Sequence, residues 1–401
     1  MIDILYVTHR VPYPLDKGER IRCAHILQAL CEYAEVDLVS LADEPVHPKA
    51  QDFLSQFTRS IRILPLGRFR KYLRMCFGLL TGRSLTESAM CGYPTRTCVR
   101  DCLMNNKYDF IIVSNTGLFG IIPQLGNNVK ILVDMMDVDS RKWQAYAENA
   151  FWLRPLYRRE SKLISALETE IVNRADAVFV TTQRELSLLP RGKSLCRAVG
   201  NGVDSTYFVP QVPASRHLSD LVFVGALDYW PNVDALCWFM DQVWPRVLEV
   251  IPQGIFHIVG RRPNARIRKL SRLPRVQLHH DVADIRPIVQ RCGIAVFPLR
   301  LAFGIPNKVL EAMAMGRLCI IPPFLSDVIG GIPGVHYLLA EQSEDWVRII
   351  GEMQHCPEQA EEIAGRARMF VAERYVWTNQ LDELIKVITS SQTQSHSISH
   401  A

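Results

Sequence analysis

The sequence predicts an α/β fold built as two Rossmann-like domains. Three observations carry this reading. Short β-branched runs alternate with helical patterns through the first half, as strands buried on both faces of a parallel sheet do. A second alternation of the same kind begins near residue 220. Between them, residues 209–216 (VPQVPASR) are proline-rich and without periodicity, the composition of a linker. A length of 401 residues suits two or three domains of roughly 150 residues each.

The elements follow in order. Strands are expected at 3–8, 36–41, 61–64, 110–113, 130–133 and 177–181, with a helix over 19–33 and one long polar helix over roughly 140–174. In the second half, strands fit 221–224, 255–259, 276–278, 294–297 and 318–321, with a helix opening near Asn307. Two last helices read as 357–374 and 377–389. The domain reading is therefore 1–208, then 217–375, then a C-terminal helix at 376–390 packing back towards the N-terminal domain, and a disordered Ser-, Gln- and His-rich tail at 391–401.

Composition excludes several classes. The charge sum of 46 basic minus 41 acidic residues, +5, is too small to argue for nucleic acid. The opening MIDILYVTHR enters a strand pattern without the basic head and apolar core of a signal peptide, and no apolar run is long enough to span a membrane. A cytoplasmic protein is expected. Eleven cysteines, with no Cys-x-x-Cys pair, read as reduced side chains packed as small hydrophobes rather than a disulfide framework or zinc ribbon.

In open α/β sheets ligands sit beyond the carboxyl ends of the strands, and two such domains facing each other make a cleft. Residues 8–19, after the first strand, hold a single glycine, Gly18, so neither a dinucleotide fingerprint nor a P-loop is present there. The densest signal is FGIPNKVLEAMAMG at 303–316. Pro306 suits a first helical position, and Gly304 lets a ligand approach the backbone. Lys308 and Glu311 share one helix face, while Val309, Leu310 and Met313 turn to the sheet. A lysine in the first turn stands on the wrong side of the macrodipole unless an anion joins it. Free amides and a cation suit a diphosphate, with Glu311 accepting from ribose hydroxyls. The plain alternative is a surface ion pair worth about 0.2–0.5 kcal/mol to the helix.

These residues resemble the donor-site helix of glycosyltransferase family 4, the retaining GT-B enzymes, whose two Rossmann-like domains face each other across a cleft. GNGVDSTYF (200–208), LVFVGALDYWPNVDAL (221–236), FHIVGRRP (256–263), VADIR (282–286) and AVFPLR (295–300) fit the family in the right order, over nearly the whole chain. RVPYPLDKGERIR (10–22) and DMMDVDSRKW (134–143) look most like the sugar transferases of exosortase (PEP-CTERM) systems. The resemblance implies a nucleoside diphosphate sugar as co-substrate, no cofactor and no metal. Its catalytic residues would be Lys308, Glu311, Arg262 and Asp137, and the donor would lie against Gly225, Arg261, Gly304, Ile305 and Asn307.

The chain also departs from the family. Phe303 stands where many members carry the first of two glutamates, Ala226 follows Gly225 in a stretch where an arginine and a lysine are common, and Met135 and Met136 stand near a usual histidine. The acidic cluster Asp134, Asp137 and Asp139 is the candidate replacement. It also reads as a Mg²⁺ site or as a helix cap.

On the acceptor side, Lys17, Gly18 and Arg22 at the start of the first helix are expected to hold an anionic acceptor or the sugar. Residues 68–83 carry five basic and no acidic residues among large apolar ones. That composition suits either an interfacial helix on anionic lipid, extended by Trp152, Arg154, Tyr157, Arg158 and Arg159, or an ordinary helix with a basic solvent face. The first choice makes the protein peripheral on the inner face of the cytoplasmic membrane, acting on a glycan or lipid-linked acceptor in exopolysaccharide synthesis. A sugar-nucleotide epimerase and a catalytically silent sugar-nucleotide scaffold are the competing functions.

Overall fold

The computed structural model describes residues 2–126, 128–149, 151–210, 217–302 and 304–398, without the side chains of 149, 217 and 391–398. The linker centre 211–216, Phe303 and the tail end 399–401 lie outside the described residues. The chain divides into two compact units, Met1–Gly200 with Gln380–Ala401, and Asn201–Asn379.

The first unit is a seven-stranded sheet: β1 (Ile2–Thr8), β2 (Ala34–Ala42), β3 (Ser60–Pro65), β4 (Phe110–Ser114), β5 (Lys130–Met136), β6 (Ala177–Val180) and β7 (Leu195–Ala198), in the order β3-β2-β1-β4-β5-β6-β7. Every pairing is parallel. The apolar runs of β1, β4 and β6 are buried along nearly their whole length because helices cover both faces.

The second unit has a six-stranded parallel sheet: β8 (His217–Val224), β9 (Phe256–Gly260), β10 (Val276–His280), β11 (Cys292–Val296), β12 (Leu318–Ile321) and β13 (Leu338–Leu339), ordered β10-β9-β8-β11-β12-β13. In each sheet the order reverses beside the unit's first strand, between β1 and β4 and between β8 and β11. Chain connections leave such a point in opposite directions and open a crevice at the carboxyl ends. The two-domain α/β architecture expected from the sequence is the observed one.

Four details correct the sequence reading. The long helix over 140–174 is two, Asp139–Asn149 and Arg154–Arg174; Pro155 in the first turn of the second has no N–H to continue the first. The edge strands β7 and β13 are too short to show a pattern. Pro306 is the N-cap of the helix Asn307–Ala314 rather than its first residue. The last helix runs Trp377–Ile398, into the stretch from 391 expected to be disordered. All eleven cysteines are free, and Cys23, Cys102, Cys292 and Cys319 are buried as small hydrophobes.

Candidate active site

In the second unit, the helix Asn307–Ala314 buries Val309, Leu310, Ala312 and Met313 against the sheet, which fixes the other face outward. Lys308 lies on that outer face. Its ammonium stands 4.8 Å from the ring centroid of Phe223 in β8 and 6.0 Å from that of Phe297, which follows β11. The charge is therefore held over the two strands that flank the crevice. Its Nζ donates to Asn232 Oδ1 at 2.5 Å, and the buried Asn232 donates through Nδ2 to the Ala226 carbonyl at 2.9 Å. One asparagine thus ties the loop after β8 to the lysine.

Backbone geometry at this end is tight. A Cβ on Gly225 would meet Asn232 Nδ2 at 2.8 Å, and a Cβ on Gly260 would stand 1.8 Å from the Gly225 carbonyl oxygen. Only glycine fits where β8 and β9 approach so closely. Gly304 has φ +59, a left-handed conformation in the loop leading to the helix. Asn307 Oδ1 accepts from Asn201 Nδ2 at 3.1 Å, which anchors the first helical residue to the GNGVD segment.

Burial pulls the Lys308 ammonium down to about 7, against the pull of Glu311. Burial likewise pushes Glu311 up to about 7, against the pull of Lys308. Neither charge is well solvated, and a bound dianion would stabilise the lysine where Glu311 does so only in part. Arg261 and Arg262 are exposed just beyond β9, and Arg262, at φ +54, donates its N–H to Asp281 Oδ1 at 3.2 Å. Ile305 is half-buried ahead of the helix. Tyr229 and Trp230 are both partly exposed at the start of the helix Trp230–Gln242.

The first unit has its own cavity, about 190 Å³, at the β1/β4 switch point. His9 and Arg10 line it after β1, Asn115 after β4, and Asp139 and Lys142 after β5. His9 Nδ1 lies 3.3 Å from Ser114 Oγ, and its Nε2 lies 3.7 Å from Glu19. Burial alone would raise Glu19; His9, Arg10 and Lys142 instead hold it down to about 2. Asp139 is raised, chiefly by burial, with Lys142 and His9 opposing.

The expected acceptor-side residues lie outside the lining of this cavity. Arg22 is 1% exposed and locked on the fully buried Asp134, with Nη2 to Oδ1 at 2.7 Å and Nε to Oδ2 at 2.8 Å. Its Nη1 also donates to the Gly200 carbonyl at 2.9 Å. Lys17 pairs with Glu44 at 2.9 Å, and the first helix begins at Gly18. Neither lines the cavity, and neither does Asp137, which accepts from Thr181 Oγ1 at 3.5 Å. Burial raises Asp137 to about 7, with Lys142 opposing and Glu185 and Asp139 adding to the rise. Among the described residues no group of three or more His, Cys, Asp or Glu side chains is placed to hold a metal ion.

Sequence reasoning missed Asn232, His9 and Lys142. Asn232 had a signal: an asparagine in the first turn of the helix that follows β8 and Gly225. His9 is the first residue past β1, a position that its topology alone makes a candidate.

Residues 219–356, most of the second unit, match the family described as glycosyl transferases group 1. The chain carries a glycosyl transferases group 1 domain, and the protein is a transferase. It is 18% identical over 399 residues to an uncharacterized 44.6 kDa protein in the cps region of Klebsiella pneumoniae, covering 94% of this chain and 97% of that one. Its fold is similar to a sucrose-phosphate synthase from Thermosynechococcus elongatus, with TM-score 0.73 and 17% identity over 98% of this chain and 100% of the other. It is also similar to Anabaena Alr3699/HepE, solved with UDP and glucose, with TM-score 0.68 and 15% identity over 97% and 100%. The two domains have the GT-B fold.

Proposed function

We propose that this glycosyltransferase is a retaining enzyme of family 4, of the exosortase-associated kind. It would move a sugar from a nucleoside diphosphate sugar to a lipid-linked or polysaccharide acceptor in cell-envelope glycan synthesis. The observation that carries the donor assignment is the Lys308–Asn232 contact over the β8/β11 crevice. UDP bound to a protein of similar fold supports the donor class, and a relative from a cps region supports a capsule-like product.

In this reading the leaving diphosphate lies at the amino end of the helix Asn307–Ala314. The free amides there, Lys308 and the Arg261–Arg262 pair neutralise the charge that develops as the glycosidic bond breaks. Glu311 accepts from the ribose hydroxyls. Gly225, Gly304, Ile305 and Asn307 shape the backbone against the nucleotide. The cavity at β1/β4 takes the acceptor, with His9 and Asp139 at its wall.

A panel of nucleotide sugars, scored by thermal stabilisation and by release of nucleoside diphosphate, tests the proposal. At least one donor should stabilise the protein and release diphosphate only when an acceptor is supplied. Release of sugar and nucleotide without any acceptor would point instead to an epimerase. Binding without release would point to a silent scaffold.

A further inference from the structure

The helix Arg68–Leu80 in the first unit is built inside out. Its inward face, at the helical spacing of Lys71, Arg74, Met75 and Gly78, is the covered one. Gly78 is buried because a Cβ there would stand 2.1 Å from Ser88 Oγ, and Arg74 donates to the Ala89 carbonyl at 3.0 Å. The opposite face holds Phe69, Tyr72, Leu73, Phe77 and Leu80, from 53% to 85% exposed. An ordinary amphipathic helix on a protein buries such a stripe and shows its charges. This one shows its apolar stripe to solvent beside the exposed Arg68 and Arg70, while Lys71 and Arg74 are half-covered.

A second element adds to the patch. Phe151 and Trp152, 74% and 88% exposed, stand just ahead of the helix Arg154–Arg174. Arg159 of that helix donates to the carbonyls of Gly78, Leu79 and Arg83 at 3.0 to 3.4 Å. Arg159 thus ties the helix that begins just after Trp152 to the carboxyl end of the apolar stripe. Arg68, Arg70, Arg83 and Arg158 are exposed around these side chains, and 68–83 contains no acidic residue.

We infer that this face docks on the surface of an anionic bilayer. The apolar stripe and Trp152 enter the headgroup boundary while the arginines meet lipid phosphates. A protein partner of ordinary composition matches this face less well, since aromatic tips ringed by unopposed arginines fit a surface that is apolar within and anionic at its rim. No helix among the described residues is long and apolar enough to cross a membrane, so the attachment is interfacial. Lys71, on the inward face of the same helix, lines the β1/β4 cavity. The docked bilayer would thus lie one helix diameter, about 10 Å, from that cavity. This last step alone depends on the cavity taking the acceptor.

Flotation of the full chain with neutral phosphatidylcholine vesicles, and with vesicles containing about a third phosphatidylglycerol, tests the inference without any assay of activity. The anionic vesicles should carry at least about tenfold more protein. The variant with Phe69→Ser, Tyr72→Ser, Phe77→Ser and Leu80→Ser should lose at least about tenfold of that binding at a nearly unchanged melting temperature, since these side chains are mostly exposed. Vesicle-induced change in tryptophan fluorescence should vanish in Trp152→Phe. Equal partitioning of the native chain and the fourfold variant would overturn the proposal. So would a native dimer in solution that the fourfold variant turns into a monomer, because the face would then be a protein contact.

Discussion

Lys308 and Asn232 are 76 positions apart and meet at 2.5 Å over the crevice between β8 and β11. The same asparagine holds the Ala226 carbonyl, so the position of the cation and the shape of the loop after β8 depend on one side chain. Asn232→Leu should lower kcat/KM about ten- to a hundredfold through loss of this positioning. Circular dichroism and the melting temperature should show the fold retained. Unchanged kcat/KM would mean that the lysine finds its place without the asparagine.

Removal of the charge itself should cost more. Lys308→Met is expected to lower turnover about a hundred- to a thousandfold, the usual loss when one donor to a developing anion is deleted. Binding of the nucleoside part through Glu311 should persist, so KM should change less than kcat. An equal effect on both would assign Lys308 to ground-state binding.

The pH dependence of nucleotide binding follows from the two shifted groups. Lys308, drawn down to about 7, is largely neutral above that pH, so binding a diphosphate there must take up a proton and affinity falls by up to about tenfold per unit. Glu311, raised to about 7, is ionised only above it and accepts from ribose less well below. Affinity for UDP, measured by calorimetry across about pH 5.5 to 9, should peak near neutrality. In Glu311→Gln the acidic limb should flatten while the alkaline limb stays.

Arg22 and Asp134 offer a stability test that separates structure from acceptor binding. Arg22→Met leaves a buried carboxylate without its partner and should destabilise by about 3–5 kcal/mol. Arg22→Met with Asp134→Leu should recover much of that, because the desolvation of both charges disappears. Were Arg22→Met as stable as the native chain but unable to use acceptor, the residue would belong to the acceptor site after all.

Much of the candidate site in the second unit was legible in the sequence. The 303–316 segment carries apolar residues at helical spacing, a glycine ahead of the helix and a lysine where the macrodipole disfavours one, and all three are local signals. The structure places the helix and Lys308 accordingly. Asn232 was not legible as a ligand of that lysine, since nothing local says which of two loops a helix will face.

Less of the first unit's charge pairing was legible. The sequence offers Arg22 as a cation near the start of a helix, and its partner Asp134 comes from a strand two positions away in the sheet. For residues 68–83 composition gave basic and apolar side chains in equal prominence, and helical spacing alone leaves open which face a neighbour covers. The close seat of Gly78 against Ser88 decided it.

The sequence by itself determined the elements, their alternation and hence the two parallel sheets, because strand and helix periodicities are properties of neighbouring residues. Tertiary structure alone decided which charges meet and which face of a helix is covered. Those outcomes depend on strand order, which brings distant segments together at a switch point, and on desolvation, which exists only once the neighbours are in place.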